Sequence, residues 1–304
     1  MSDIILHHFA GSPFAHKARV ALGIKGLPWK SVDIPNIMPK PDLTALTGGY
    51  RNTPVMQIGA DIYCDTQCIL RELDMRFPEP PFMPDGSAGL GWLVFAWADR
   101  PFYAAVNAVM FGVNADKLPD SFVKDREKHR GFTIDLKQFQ RELPQWRRNL
   151  AAQLTWLEDS LADGRPYLMG GELSIADIGV YGPVWQMGKG DGDHEAFFAP
   201  FPRLNAWTAR MAAFGVGEPE PLESGAAVDI AAAAEPLSAA VEDKGPGLAA
   251  GADVTVTPDD KGRVSVSGRL AGLSAQRITI LRDDSRAGTV AVHFPRAGFQ
   301  LAAV

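Results

Sequence analysis

"GSPFAHKARVALGIKG", residues 11–26, follows the apolar run "IILHHF" at residues 4–9. Ser12 and Pro13 are residue types that open helices. A serine oxygen accepts from the unpaired N–H groups of a first turn, and proline at the first position lacks only an N–H that would go unpaired. Gly26 supplies the stop. The stretch therefore predicts a helix over 13–24, with Phe14, Val20, Ala21 and Ile24 able to share one side. Working outward, 4–9 predicts a buried strand and "WKSVDI", residues 29–34, a second one. The segment 35–49 holds three prolines and reads as a loop with room for a short helix. "PVMQIGADIYC", residues 54–64, predicts two short strands around a turn at Gly59–Asp61. "DTQCILRELDMRFP", residues 65–78, predicts an amphipathic helix with Ile69, Leu70, Leu73 and Phe77 inward.

Strand, helix, strand, loop, hairpin, helix is a thioredoxin-like layout, assigned to residues 1–80. After a proline-rich connection the pattern is helical over 88–215, an all-α domain. Leu150, Leu154, Leu157 and Leu161 mark a helix running from Pro144 to Leu161, and Pro101 is expected to kink or break an earlier one. In "LSIADIGVY" Ser174 and Asp177 have capping-box spacing. A last helix is expected over 203–214. Residues 216–247, rich in Ala, Pro, Glu and Gly, read as a linker with a short helix near Ile230–Ala234. Over 248–304 the period changes to two. "ADVTVTP", "RVSVSGRL", "RITILRD" and "TVAVHF" predict a small all-β module of four or five strands, closed or half-closed as a barrel. The expected fold class is α+β and multidomain.

With 304 residues and a net charge of -6, the chain is long enough for two or three cores and too acidic overall for nonspecific nucleic-acid binding. No leader pattern or bilayer-length apolar run is visible, so membrane association is not expected and a cytoplasmic location is. The two cysteines, Cys64 and Cys68, make neither a CxxC pair nor a disulfide framework and are expected to be packed. His7 and His8 fall on opposite faces of a strand with no partner at ligand spacing, so no metal is expected. Lys17 and Arg19 read as solvating the first helix. "GKGDGD", residues 188–193, lacks the strand context of a phosphate loop.

Three features carry chemistry. Ser12 sits at a helix N-terminus, where free N–H groups and a partial positive charge favour an anion; a hydroxyl there can donate to a thiolate. In "RNTPVM", Pro54 opens a strand; if the Thr53–Pro54 bond is cis, the Thr53 backbone can pair with a bound peptide. In "CDTQC", Asp65 can pair with an ammonium and Thr66 can hold a carboxylate at a helix start. Each has a plainer alternative: a helix cap for Ser12, Asp65 and Thr66, an edge-strand proline for Pro54. Together they fit one ligand with a thiol, two peptide bonds and a free γ-glutamyl head, which is glutathione.

Over roughly residues 4–214 the sequence resembles the cytosolic glutathione transferase superfamily. "SPFAHKARVAL" is similar to the first-helix motif of the omega class, which has Cys where Ser12 stands, and of bacterial β-etherase-type members, which have Ser-Pro. "NTPVM" resembles the cis-proline motif, and "DTQCI" the Glu/Gln-Ser pair that holds the γ-glutamyl group. The resemblance implies a homodimeric enzyme of detoxification. Ser12 would activate the glutathione thiol as thiolate for attack on a small hydrophobic electrophile, and Ser12, Thr53, Pro54, Asp65 and Thr66 would bind glutathione. Ser12 in place of Cys argues against thioltransferase chemistry. Trp97, Phe102 and Tyr103 are candidates for lining the acceptor side. The alternatives are a catalytically weak glutathione-binding scaffold whose β-module docks a partner through Arg269, Arg277, Arg282, Arg286 and Arg296, and a glutathione-dependent isomerase.

Overall fold

The structure, a computed structural model, describes residues 3–84, 88–189, 194–242, 248–259, 262 and 264–304. The expected N-terminal order is present: β1 (Ile5–His8), α1 (Pro13–Ile24), β2 (Pro28–Asp33), α2 (Pro41–Thr47), β3 (Val55–Ile58), β4 (Asp61–Cys64) and α3 (Thr66–Arg76). β1 is parallel to β2 and antiparallel to β3, and β3 and β4 form the hairpin.

The helical part comprises α4 (Ala88–Trp97), α5 (Tyr103–Val113), α6 (Asp120–Arg130), α7 (Leu136–Ser160), α8 (Ile175–Met187), α9 (His194–Phe198) and α10 (Pro202–Ala212). Pro101 does disrupt its helix: Ala98–Phe102 is a π-helical turn between α4 and α5, the usual accommodation where a proline removes a ladder bond. α7 begins eight residues before Pro144, because Asp135 caps it through the Gln138 N–H (2.9 Å) and the helix accommodates the proline in its interior. Ser174 and Asp177 form the capping box of α8, and Asp177 also accepts from Trp207 Nε1 (2.8 Å) on α10. Of "GKGDGD", residues 190–193 lie outside the described residues.

Two expectations for the C-terminal third need correction. The segment expected as a linker builds β5 (Glu218–Pro221), parallel to β2, and α11 (Ser224–Ala232). Ala227, Val228 and Ala231 of α11 are buried in a core shared with α2, which the Ala-rich composition concealed. The β-module is present as β6 (Asp253–Pro258), β7 (Val266–Leu273), β8 (Arg277–Asp284), β9 (Gly288–Pro295) and β10 (Phe299–Ala303). It does not close as a barrel. β9 pairs in parallel with β4, giving one open ten-stranded sheet in the order β10-β6-β7-β8-β9-β4-β3-β1-β2-β5. The edge of β4 satisfies its ladder groups with β9, so the module has no need to close on itself.

The sheet separates two cores. One face packs with α1, α3 and the helical part; the other joins Ile5, Val32, Val55 and Ile62 to α2, α11 and the module's Val254, Ile280 and Val292. Burying each such side chain contributes roughly 1.5–3 kcal/mol, so module and thioredoxin-like part stabilise each other.

Candidate functional site

The strand registers gather the three sequence features at one end of the sheet. His7 is opposite Val55, and Val55 is opposite Cys64. One residue further on, His8, Pro54 and Asp65 therefore form a row across β1, β3 and β4. Neighbouring strands lie about 4.8 Å apart, so the row spans roughly 10 Å.

At the β1 end, Ser12 caps α1: it is 3% exposed and its Oγ accepts from the Ala15 N–H (3.1 Å). A hydroxyl has two lone pairs and one proton. The cap uses a lone pair, and no protein group among the described residues takes the proton. The loop carrying Ser12 is fixed by Arg19, whose guanidinium donates to the carbonyls of Phe9 (3.3 Å) and Ala10 (3.0 Å) and meets His8 Nδ1 at 3.0 Å. Burial pulls Arg19 down to about 10, and burial followed by the Arg19 charge pulls His8 down to about 4. Arg19 is thus an internal clamp, not a solvating residue. Lys17 departs further from expectation. It is fully buried, ion-paired with Asp99 and within 5.0 Å of the Phe14 and Phe95 rings, joining α1 to the turn before α5. Both sit on a helix packed from two sides, a tertiary fact that helical periodicity does not contain.

In the middle of the row the Thr53–Pro54 peptide is cis. Lys40 lies beside it, 4% exposed, donating to the Arg51 carbonyl (3.2 Å) and Thr53 Oγ1 (3.3 Å). Burial, reinforced by Arg51 and Arg126, brings its ammonium down to about 8. Sequence reasoning missed Lys40; a lone lysine between Pro39 and Pro41 carries no periodic signal. At the far end Asp65 caps α3 through the Gln67 N–H (2.8 Å) at φ +74°, and Thr66 is buried beside it. A non-glycine residue at that φ costs roughly 1–3 kcal/mol, a cost that collects at functional sites.

Tyr103 alone of the three aromatic candidates meets the first helix, its ring 4.7 Å from Phe14. Trp97 stacks on the buried Phe102 at 4.8 Å and approaches Trp156, so both turn into the helical bundle. Cys64 and Cys68 are buried as expected, and burial pushes both thiols up, Cys68 to about 12.

The β-module reaches this end too. Continuing the β4–β9 register brings Pro295 level with Asp65. Gln67 Nε2 donates to the Ala297 carbonyl (3.5 Å), and Arg100 pairs with Asp259 (2.7 Å). Gly262, at φ +86°, abuts the His129 ring of α6 so closely that a side chain there would collide with it. His129 in turn meets Asn52, two residues before the cis-proline, at 2.9 Å. The five arginines weighed as a basic docking face do not form one: Arg277 pairs with Glu72, Arg286 with Asp42 and Arg269 with Asp283, while Arg282 donates to the Ala45 carbonyl (2.7 Å) and Arg296 has its own contact. Three of them fasten the module to α2 and α3.

No group of metal-ligating side chains is found among the described residues, and no helix there is long and apolar enough to cross a membrane. Residues 6–81 match the family described as "Glutathione S-transferase, N-terminal domain", and residues 126–210 match "Glutathione S-transferase, C-terminal domain". The crystal structure of a GST-like protein from Pseudomonas syringae is 36% identical, with both chains covered in full and a TM-score of 0.78. FtsZ-localized protein A of Caulobacter vibrioides is 27% identical over 178 residues, 57% of this chain and 72% of that protein. A stringent starvation protein A homolog from Haemophilus ducreyi is 25% identical over 177 residues, 57% of this chain and 70% of that protein.

Proposed function

The chain belongs to the glutathione transferase superfamily, and on that premise we propose that it binds glutathione along the Ser12–Pro54–Asp65 row and activates its thiol. The observation that supports this reading is the shared register, which brings the cis-proline backbone and an acidic helix start level with His8, four residues before the Ser12 hydroxyl that caps α1. Glutathione would lie across the row, its γ-glutamyl ammonium at Asp65 and α-carboxylate at the Thr66 end of α3. Its cysteine backbone would meet Thr53, with its glycine carboxylate toward Lys40. Ser12 would donate to the sulfur, and the N-terminus of α1 would favour its negative charge. The thiolate then attacks a small apolar electrophile held beside Phe14 and Tyr103, forming the carbon–sulfur bond as the acceptor takes up the electron pair. The same reading carries a cytoplasmic, homodimeric enzyme of detoxification.

The test is calorimetric titration of the intact protein with glutathione and S-hexylglutathione, followed by turnover with model electrophiles. Saturable binding with turnover supports the reading. Absence of binding at millimolar concentration overturns it. A second reading, a glutathione-binding scaffold, is favoured by relatives whose names refer to FtsZ localisation and stringent starvation. Binding without turnover over a panel of electrophiles would select it.

A further inference from the structure

A cavity of about 620 Å³ lies between α3 and the β-module, and Ser12, Pro54 and Asp65 do not line it. Its floor is built from β4, β9 and β8, with Tyr63, His293 and Thr279 in one row of the sheet. One wall is α3. The other is the segment 237–242, which leaves α11 and crosses the sheet: the Leu237 N–H donates to Asp61 (3.1 Å), and Val241 bridges to Leu273. Gly272 makes the crossing possible, since a side chain there would strike Ala239.

The two ends differ chemically. Asp61 pairs with Ala291 and Arg277 with Pro295, four residues further on in β9, an offset of about 13 Å along the strands. The Asp61 end is self-satisfied. The carboxylate accepts from His293 Nε2 (2.9 Å) as well as from Leu237, and His293 Nδ1 accepts the Thr279 hydroxyl (3.0 Å). The Arg277 end is not. Arg71, Arg76 and Arg277 line it, and the carboxylate among them, Glu72, is 1% exposed. Glu72 accepts from Arg76 Nε (2.6 Å), Arg277 Nη2 (2.5 Å) and the Tyr63 hydroxyl (3.0 Å), so both of its oxygens are already engaged. Arg71 donates to Gln276 (2.9 Å). Arg76 also donates to the Tyr63 hydroxyl (3.2 Å), and the Arg71 guanidinium lies over the Trp92 ring (4.0 Å); with five N–H donors on each guanidinium, the set has more donors than these protein acceptors take. Two other acids line the space: Asp74 is held by Lys25 (2.8 Å), and Glu242 is exposed at the rim. Between the ends the walls are apolar, with Met75, Met83, Leu237, Ala240 and Leu273.

We propose that this cavity is a second ligand site, taking a small organic anion whose carboxylate or sulfonate meets Arg71, Arg76 and Arg277 and whose apolar body lies along the 237–242 wall. At this end three guanidiniums surround one buried carboxylate, a local excess of positive charge that a bound anion balances, and the volume suits a molecule of ordinary ligand size. The site depends on the β-module, because Arg277 comes from it and the 237–242 wall is tied to its Leu273.

The test uses anilinonaphthalene sulfonate fluorescence on the full chain, with S-hexylglutathione saturating so that the Ser12 row is not read. Decanoate serves as competitor. The expected result is one saturable site displaced by decanoate. Arg277→Gln should weaken it about tenfold or more, as loss of a charge-assisted bond predicts. Ala240→Trp, a change at an exposed position, should block it by filling the cavity while leaving thermal stability unchanged. Because Arg277→Gln also unburdens Glu72, Ala240→Trp decides the matter if the first variant folds poorly. Undiminished binding in Ala240→Trp, or no saturable binding in the parent, overturns the proposal. Saturation without S-hexylglutathione that disappears in its presence also overturns it, by assigning the probe to the first site.

Discussion

Ser12 can be taken apart into its two roles by substitution, because the cap uses a lone pair and the proposed chemistry uses the proton. Ser12→Ala removes both. Losing the bond to Ala15 should cost about 1 kcal/mol of stability. Losing a donor to a charged sulfur should cost about 1.5–3 kcal/mol of thiolate stabilisation. At about 1.4 kcal/mol per pKa unit, the bound thiol then rises by one to two units, and the thiolate fraction near neutral pH falls roughly tenfold to a hundredfold. Ser12→Asp keeps an acceptor for the cap and discards the hydroxyl proton. Ser12→Thr keeps both. Urea denaturation and thiolate ultraviolet absorbance of the glutathione complex, read against pH, separate the effects. Alanine should lose on both measurements, aspartate only on the second, and threonine on neither by more than a few tenths of a unit. If aspartate leaves the thiol pKa unchanged, Ser12 is a cap and nothing more, and the assignment of its hydroxyl to sulfur fails.

Asp65→Gly should raise or preserve stability, since relief of the φ +74° conformation offsets a lost cap worth a few tenths of a kcal/mol, while glutathione affinity falls at least about tenfold; a loss of stability with affinity intact would contradict both assignments. Lys17→Met should cost about 3–5 kcal/mol by leaving Asp99 without its cation, and adding Asp99→Leu should recover most of it in a double-mutant denaturation cycle. A neutral single variant would show the pair to be dispensable. His7 and His8 are held near 4 and His16 near 3, all below the usual 6.5, chiefly by burial. The unfolded chain therefore binds more protons below pH 6.5, so stability is complete above that value and falls toward the folded values as pH drops. Each of the three adds a slope of up to about 1.4 kcal/mol per pH unit. Urea midpoints that stay flat between about pH 6.5 and 5 would refute neutral burial of these rings.

Local chemistry made the first helix readable. Ser12, Pro13 and Gly26 act within one turn of where they stand, and α1 runs from Pro13 to Ile24 as the stretch predicts. The module's strands were readable for the same reason, since alternation along β6, β8 and β9 is a property of each segment alone. Their destination was not. Pairing of β9 with β4 depends on a register between residues far apart in the chain, as for Asp61 and Ala291, and on which edge is still unsatisfied. The same limit hid the extent and burial of α11: a short helix near Ile230–Ala234 was legible, but its start at Ser224 and its packing on α2 were not. It hid Lys17 and Arg19, charged residues drawn inward by partners on other elements. At the site, residue types were legible at Ser12, Pro54 and Asp65, but the level that Pro54 and Asp65 share with His8 needed the sheet, and Lys40 needed the loop geometry beside Thr53.

The parallel seam between β4 and β9 also sets a timetable during synthesis. At translation rates of roughly 5–20 residues per second, β4 leaves the ribosome on the order of 10–50 s before the strand that completes its edge. Through that interval Asp61–Cys64 offers an open ladder, and Val55 and Ile62 lack the module side of their core. An unpaired strand beside uncovered apolar side chains invites pairing with another nascent chain. The module's strands therefore act on the thioredoxin-like part as an internal chaperone that arrives late, and yield in the cell should depend on how quickly β9 follows β4.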